Sequence, residues 1–217
     1  MVAGAGKDTI EDLLGQAALR LPRKGFLEPN DIVSQRIPER DAFVSVSLPS
    51  PEAPMAFRWT SLSDTPSDLH HRIYASRPDV GAIASGSFKW TGALARLEMS
   101  LPAVFDEQVR HLGGEVRRLA TGPAVEQPIT ALANGANAYA LDDMSLCFGM
   151  GLERLLLNIE ILEKSAQSFV LAHCAAQQVR RIPWLVEFIA NRRLKKDQKN
   201  AATRHLRGER SVMKASY

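Results

Sequence analysis

The sequence predicts an α/β fold, a mixed sheet flanked by helices, from three observations. Segments of helical period alternate with short apolar or alternating stretches, proline and glycine punctuate the boundaries, and a long apolar-faced helix follows two closely spaced strands. Asp8 and Glu11 form a capping-box-like start to a first helix, in which Ile10, Leu13, Leu14, Ala17, Ala18 and Leu21 recur at helical spacing up to a stop at Pro22. Between Ala42 and Leu48, residues Ala42, Val44, Val46 and Leu48 alternate with Phe43, Ser45 and Ser47, which predicts a strand with one buried face. Pro49, Pro51 and Pro54 then break it into a loop.

Asp68 to Ser76 reads as a helix closed before Pro78, because the residue before a proline avoids helical geometry. Val80 to Ala84 is a short strand of the buried kind, and Lys89 and Trp90 begin a helix. Phe105 to Leu112 predicts a further helix with Gly113 and Gly114 as its stop. Asn134 and Gly135 mark a turn into strands at Ala138 to Leu141 and Ser145 to Phe148. The longest element runs from Leu152 to Ala176, with Leu152, Leu155, Leu156, Ile159, Leu162, Ala166, Phe169 and Val170 on a broad apolar face. Pro183 opens a last amphipathic helix containing Trp184, Ile189 and Leu194.

At 217 residues, 45% hydrophobic and 24% charged, the chain suits one globular domain, enough to bury about 70% of its unfolded surface. Apolar runs end well short of the roughly 18 residues a spanning helix needs, and Met1 to Lys7 has no apolar signal-peptide core, so a soluble cytoplasmic protein without membrane partners is expected. Cys147 and Cys174 have no metal-ligand spacing and sit among apolar neighbours, as buried structural thiols do. From Arg180 to Tyr217 there are eleven Lys or Arg against three acids, a balance of +8 in a chain of net charge +3. Without interleaved aromatics or a nucleic-acid module, this stretch reads as a solvated helix and frayed tail rather than a contact for nucleic acid or an acidic partner. The expected organisation is a main domain over residues 1–179, with 180–217 packed on or extending it.

The segment Asp68-Leu69-His70-His71-Arg72-Ile73-Tyr74-Ala75-Ser76-Arg77-Pro78-Asp79-Val80-Gly81-Ala82-Ile83-Ala84 resembles the class II aldolase and adducin superfamily, in which a helix ending in Arg-Pro-Asp feeds a strand carrying a His-x-His pair. Gly149 to Arg154, followed by Ile159 to Gln167, is similar to the family's long helix. The resemblance implies a three-layer α/β/α sandwich around a largely antiparallel sheet, a homotetramer, and a zinc ion on three histidines beside a glutamate base. Here the ligand positions read Ser85, Ser87 and Asp143, and the glutamate position falls on Pro66.

Neutral serine hydroxyls are poor zinc donors and one carboxylate does not replace three imidazoles, so no cofactor is expected, with a zinc or magnesium site left to Asp143 and waters. Asp64, two residues from the lost glutamate, is a candidate base. The Asp31 to Arg36 segment, which resembles the family's phosphate-binding turn, keeps Ser34 but puts Ile32 where an Asn would hold phosphate; Thr65 offers one further hydroxyl. His70 shares a helical face with Tyr74 at i and i+4 and reads either as a hydrogen-bonded histidine at a helix packing face or as a catalytic residue toward the pocket floor, whereas His71 is expected to meet solvent. His111, His173 and His205 have no sequence partner and read as incidental. Asp142 and Asp143 form either a pocket-facing carboxylate pair or a polar turn. Lys89 either supplies positive charge beside the vacated metal position or faces solvent.

The resulting expectation is a divergent class II aldolase-like protein that binds a small carbonyl or anionic metabolite with altered or lost catalysis. An active carbon–carbon lyase or epimerase with a rebuilt site, and a non-catalytic interaction module, are the rivals.

Overall fold

The computed structural model describes residues 6–51, 53–119, 132, 135–142 and 144–211. Seven strands form one sheet in the order β3-β2-β1-β4-β7-β6-β5: β1 Ile32–Ile37, β2 Ala42–Ser47, β3 Phe57–Ser61, β4 Ala82–Gly86, β5 Arg117–Leu119, β6 Ala138–Leu141 and β7 Ser145–Gly149. Every pairing is antiparallel except β5 with β6. The helices among the described residues are α1 Lys7–Arg23, α2 Leu69–Ser76, α3 Lys89–Arg96, α4 Asp106–Leu112, α5 Leu152–Cys174 and α6 Trp184–Leu206. Helices α1, α3 and α5 cover one sheet face through Leu14, Leu94, Leu155 and Ile159, which meet Val33, Ala82, Ala84 and Cys147. Helix α2 covers the other, with Ile73 and Tyr74 against Phe43, Ile83, Tyr139 and Phe148. Among the described residues, no helix is long and apolar enough to cross a membrane.

Several expectations shift. Helix α1 starts one residue before Asp8, with Gly6 as its N-cap and no side-chain cap, and it carries Pro22 inside its last turn, ending at Arg23. A proline tolerated there removes only a late backbone donor, and the helix stops one residue on at Lys24. Strand β2 is buried on both faces from Ala42 to Val46, because helices pack over each side and Phe43 enters the α2 core. Strand β4 begins two residues later than expected: Val80 N–H donates to Arg77 O, so the Arg-Pro-Asp turn consumes Val80 before the ladder starts. Gly81 is needed at this junction, since a Cβ there would lie 2.3 Å from Met150 O. Cys174 is exposed at the end of α5, past the last buried position of that helix, whereas Cys147 is buried in β7 and its thiol is raised by burial.

The Arg77 turn locks the two halves of the sheet. Arg77 pairs with Asp79 through two N–H donations of 2.8 and 2.7 Å and also donates to the carbonyls of Leu132 and Ala136. His205 of α6 contacts Pro78 O at 2.7 Å, so the final helix is tied to the same turn. Helix α6 is solvated over most of its surface, but Leu194, Gln198, Ala201 and His205 are buried. Residues 212–217 lie outside the described residues.

Candidate functional site

The site forms at the end of β4. Ser34 on β1 and Ile83 on β4 are register partners, as are Ile32 and Ser85, so Ser34, Ile83 and Ser85 point to the face covered by α2. Asp68 caps α2 by accepting from His71 N–H at 2.9 Å, which fixes the helix register and puts His70 and Tyr74, one turn apart, over the two serines. The result is a continuous buried chain: Tyr74 Oη to Ser34 Oγ at 2.9 Å, Ser34 Oγ to His70 Nδ1 at 2.7 Å, and His70 Nε2 to Ser85 Oγ at 2.8 Å. Burial pushes the His70 imidazole down to about 4 and raises the Tyr74 phenol, so both are neutral at pH 7. A neutral imidazole donates from one nitrogen and accepts at the other, so the chain has one direction at a time and reverses only by moving protons along it.

Beyond Ser85 the strand turns outward. Asp31 accepts from Ser87 N–H at 3.1 Å and from Glu28 N–H at 2.7 Å, and its carboxylate lies so close to Gly86 that a Cβ there would sit 2.0 Å from it. Burial raises the Asp31 carboxyl, an effect that these N–H donors oppose. This clasp leaves Ser87 exposed on a small cavity of about 300 Å³, lined also by Glu28, Lys89, Arg96, Asp142 and Ser145. Glu163 of α5 does not line the cavity but holds the helix start that does. Buried, with its carboxyl raised by desolvation, it accepts from Trp90 N–H, Thr91 N–H and Thr91 Oγ–H at 2.8, 2.9 and 2.7 Å. That caps α3 and sets Lys89 at its first turn, exposed and with its ammonium 5.5 Å from the Trp90 ring centre.

The predicted residues therefore divide into three groups. Ser34, His70 and Ser85 converge in the buried chain. Ser87, Lys89 and Asp142 meet in the cavity, with Asp142 held by Arg118 at 2.7 Å. Asp64 and Thr65 lie exposed in the β3–α2 loop, where Asp64 makes no hydrogen bond or ion pair among the described residues. Asp143, like Asn134, lies outside the described residues.

His71, expected in solvent, is fully buried against Phe43, with ring centroids 5.5 Å apart and neither ring nitrogen hydrogen-bonded among the described residues. Phe43 points to the sheet face that α2 covers, so this side of the helix is covered too. Nor are the other histidines incidental: His111 Nδ1 accepts from Arg154 at 2.5 Å, His173 stacks on Phe169, and His205 holds the Pro78 turn. Asp31, Tyr74 and Glu163 complete the site without having been singled out. Only Tyr74 had a signal in the sequence, its spacing from His70; the carboxylates act on backbone N–H groups 56 and 72 residues away.

The zinc ion that the sequence resemblance implies does not suit this donor set. Ser85 Oγ is engaged by His70, both His70 nitrogens are engaged by serines, and Ser87 offers a neutral hydroxyl. Among the described residues, no group of three His, Cys, Asp or Glu side chains comes together to hold a metal ion.

No protein-family model matches the chain, and no curated protein matches it by sequence. Solved structures do. An L-fuculose 1-phosphate aldolase superposes with a TM-score of 0.72 at 17% identity, covering 90% of this chain and 100% of that one. YgbL of Escherichia coli, a putative aldolase/epimerase/decarboxylase, gives 0.70 at 14% identity over 84% and 98%. An aldolase II superfamily protein from Pseudomonas syringae gives 0.63 at 16% identity over 92% and 93%. These similarities cover between 84% and 92% of the chain, which has the class II aldolase fold.

Proposed function

We propose that this protein binds a small carbonyl or anionic metabolite in the Ser87–Lys89 cavity without the three-histidine zinc site of class II aldolases. The observation that carries this reading is the Ser34–His70–Ser85 chain: the hydroxyl at the first expected ligand position is spent on an imidazole. Lys89 and Arg96 supply positive charge at a cavity of about 300 Å³, a size for a ligand of few carbons. Ser87 and Ser145 add hydroxyls for a carbonyl or carboxylate oxygen.

A second reading, an active carbon–carbon lyase or epimerase, draws support from the same chain, which offers a proton path from Tyr74 to Ser85. The imidazole at its centre has a conjugate acid near 4, a weak base at neutral pH, and this favours binding over turnover. The domain expectation is kept as part of the proposal: 1–179 forms the aldolase-like unit and 180–217 extends it. The assembly proposed is a homotetramer. Trp184 is 75% exposed, with Leu185, Phe188 and Ile189 exposed beside it, an apolar surface that a second copy would cover.

Metal analysis of protein purified without chelator tests the central claim. Substoichiometric zinc, manganese and magnesium, together with saturable binding of a small hydroxy or oxo acid that Lys89→Ala weakens at least tenfold, are expected. One divalent ion per chain would overturn it. Light scattering near the monomer mass of 23.9 kDa at micromolar concentration would overturn the tetramer.

A further inference from the structure

At the opposite end of the sheet, beyond Gly81 and Met150, the molecule opens a far larger cleft of about 1080 Å³ between α1, the start of α5 and the second half of α6. Six arginines line it, Arg20, Arg36, Arg110, Arg154, Arg204 and Arg210, against two carboxylates, Glu153 and Asp197. Three of these arginines have acids outside the lining: Arg20 with Glu160, Arg204 with Glu209 and Arg210 with Glu39. The centre is different. Arg110 pairs with Asp197 at 2.6 Å, but its Nη1 is buried with no acceptor among the described residues. Arg154 has no carboxylate in its hydrogen bonds and donates to His111 Nδ1. Arg36 donates to backbone carbonyls of Tyr74, Arg77 and Val80.

Arg110 thus has the direct ion pair with Asp197, while Arg154 and Arg36 make no hydrogen bond to a carboxylate among the described residues. Desolvation lowers Arg154, and the charge of Arg110 lowers it further, a repulsion across the cleft that Asp197 opposes. His111 beside them is held down to about 4, first by burial and then by Arg154 and Arg110, so it remains a neutral acceptor that adds no charge. Half-buried guanidinium groups with unused donors are suited to bidentate recognition of phosphate oxygens, because the planar fork matches their spacing. Asp197, the partner of Arg110, and Arg204 are seven residues apart on α6, about 10 Å along the helix axis. The lining therefore extends well past one phosphate.

We propose that this cleft is a second binding site, separate from the Ser87–Lys89 cavity, for a polyphosphate-bearing small molecule anchored on Arg110 and Arg154 with Arg20 and Arg204 at its rim. The ligand would supply the anion that Arg154 lacks. The proposal does not depend on what the smaller cavity binds.

Calorimetry on the full chain at 150 mM salt, with tripolyphosphate, ATP and orthophosphate as probes, tests it. Saturable binding of tripolyphosphate or ATP at one site per chain is expected, with orthophosphate at least tenfold weaker. ATP tighter than tripolyphosphate would identify a nucleotide-like source, and equal affinity an inorganic one. Arg154→Gln should weaken binding at least tenfold, and the exposed pair Arg20→Gln with Arg204→Gln at least threefold, which keeps the test open if Arg154→Gln fails to fold. Lys89→Ala should leave tripolyphosphate affinity within twofold of the parent. No saturation by millimolar ligand, orthophosphate binding as tightly as tripolyphosphate, or an unchanged affinity in the folded arginine variants would overturn the assignment.

Discussion

The two ends of the central sheet treat their polar groups in opposite ways. At the β4 end, Tyr74, Ser34, His70 and Ser85 bond one another in a chain and Asp31 and Glu163 accept from backbone N–H groups, although the His71 ring nitrogens and Ser145 Oγ have no partner among the described residues. At the Gly81 end, Arg110 and Arg154 keep donors without acids. A buried group with all its partners contributes stability and specifies geometry, while one with unmet partners costs stability unless a ligand completes it. In an enzyme the polar groups at the reacting end are commonly held in readiness. Here the β4 end is the closed one, and the exposed side chains Ser87 and Lys89 stand outside its hydrogen-bonded chain.

The largest effect expected is at the turn that joins the two ends. Arg77→Ala removes the ion-pair partner of the Asp79 carboxylate and the donor that Arg77 supplies to the carbonyls of Leu132 and Ala136. Removing one member of a buried pair costs about 3 to 5 kcal/mol, so urea denaturation should show a loss in that range. A loss below about 1 kcal/mol would mean that the turn does not hold the ends together.

Next in size is a pH effect that belongs to both ends. The folded His70 pKa is about 4 against an ordinary 6.5, so between those values the unfolded chain takes up a proton that the folded chain refuses. Its contribution is complete above pH 6.5 and is lost as pH falls toward 4, by at most about 3 kcal/mol. His111 titrates in the same direction, also near 4, so each end supplies part of the slope. Denaturation midpoints from pH 7 to 4 should fall less steeply in His70→Gln, and less steeply again in the double variant with His111→Gln. An unchanged slope in His70→Gln would show that the closed network does not exclude the proton.

A smaller effect follows from Ser85→His. The new ring would occupy the space of the bond from His70 Nε2 to Ser85 Oγ, only 2.8 Å long, and such overpacking costs about 1 to 3 kcal/mol. Adding His70→Ser should recover at least half of that loss, because the two positions compete for one imidazole volume. Strictly additive losses in this double-mutant cycle would show that they do not.

Local chemistry made much of this legible from the sequence. Pro78 as a stop and Gly113 as a terminator act within a few residues, and the elements they bound lie close to where they were expected. Strand β1 escaped because Ile32-Val33-Ser34-Gln35-Arg36-Ile37 does not alternate cleanly and resembles a phosphate-binding turn. Half of the site was legible in the same sense. The facing of His70 followed from its helical spacing to Tyr74, but its serine partners lie 36 and 15 residues away and depend on the β1–β4 register. The charge run of α6 obscured the spacing of Leu194, Gln198, Ala201 and His205, which packs that helix. Nothing local marks Glu163 as a cap for α3, since the bond spans 72 residues.

The smallest effect on stability should come from the residues on which the comparison turns. Ser87 and Lys89 are both exposed at the cavity rim, and Ser87 meets Asp31 through its backbone N–H, which substitution to alanine retains. Lys89 lies at the first turn of α3, where a positive charge opposes the helix dipole, so its removal costs the helix nothing. Ser87→Ala and Lys89→Ala should each change unfolding free energy by less than about 0.5 kcal/mol, the range of ordinary surface substitutions. The same variants should abolish small-anion binding at that cavity while leaving the arginine cleft's affinity for tripolyphosphate within twofold of the parent. A destabilisation above about 1 kcal/mol would place these side chains inside the closed network, and the contrast between a sealed core and an open rim at this end of the sheet would then fail.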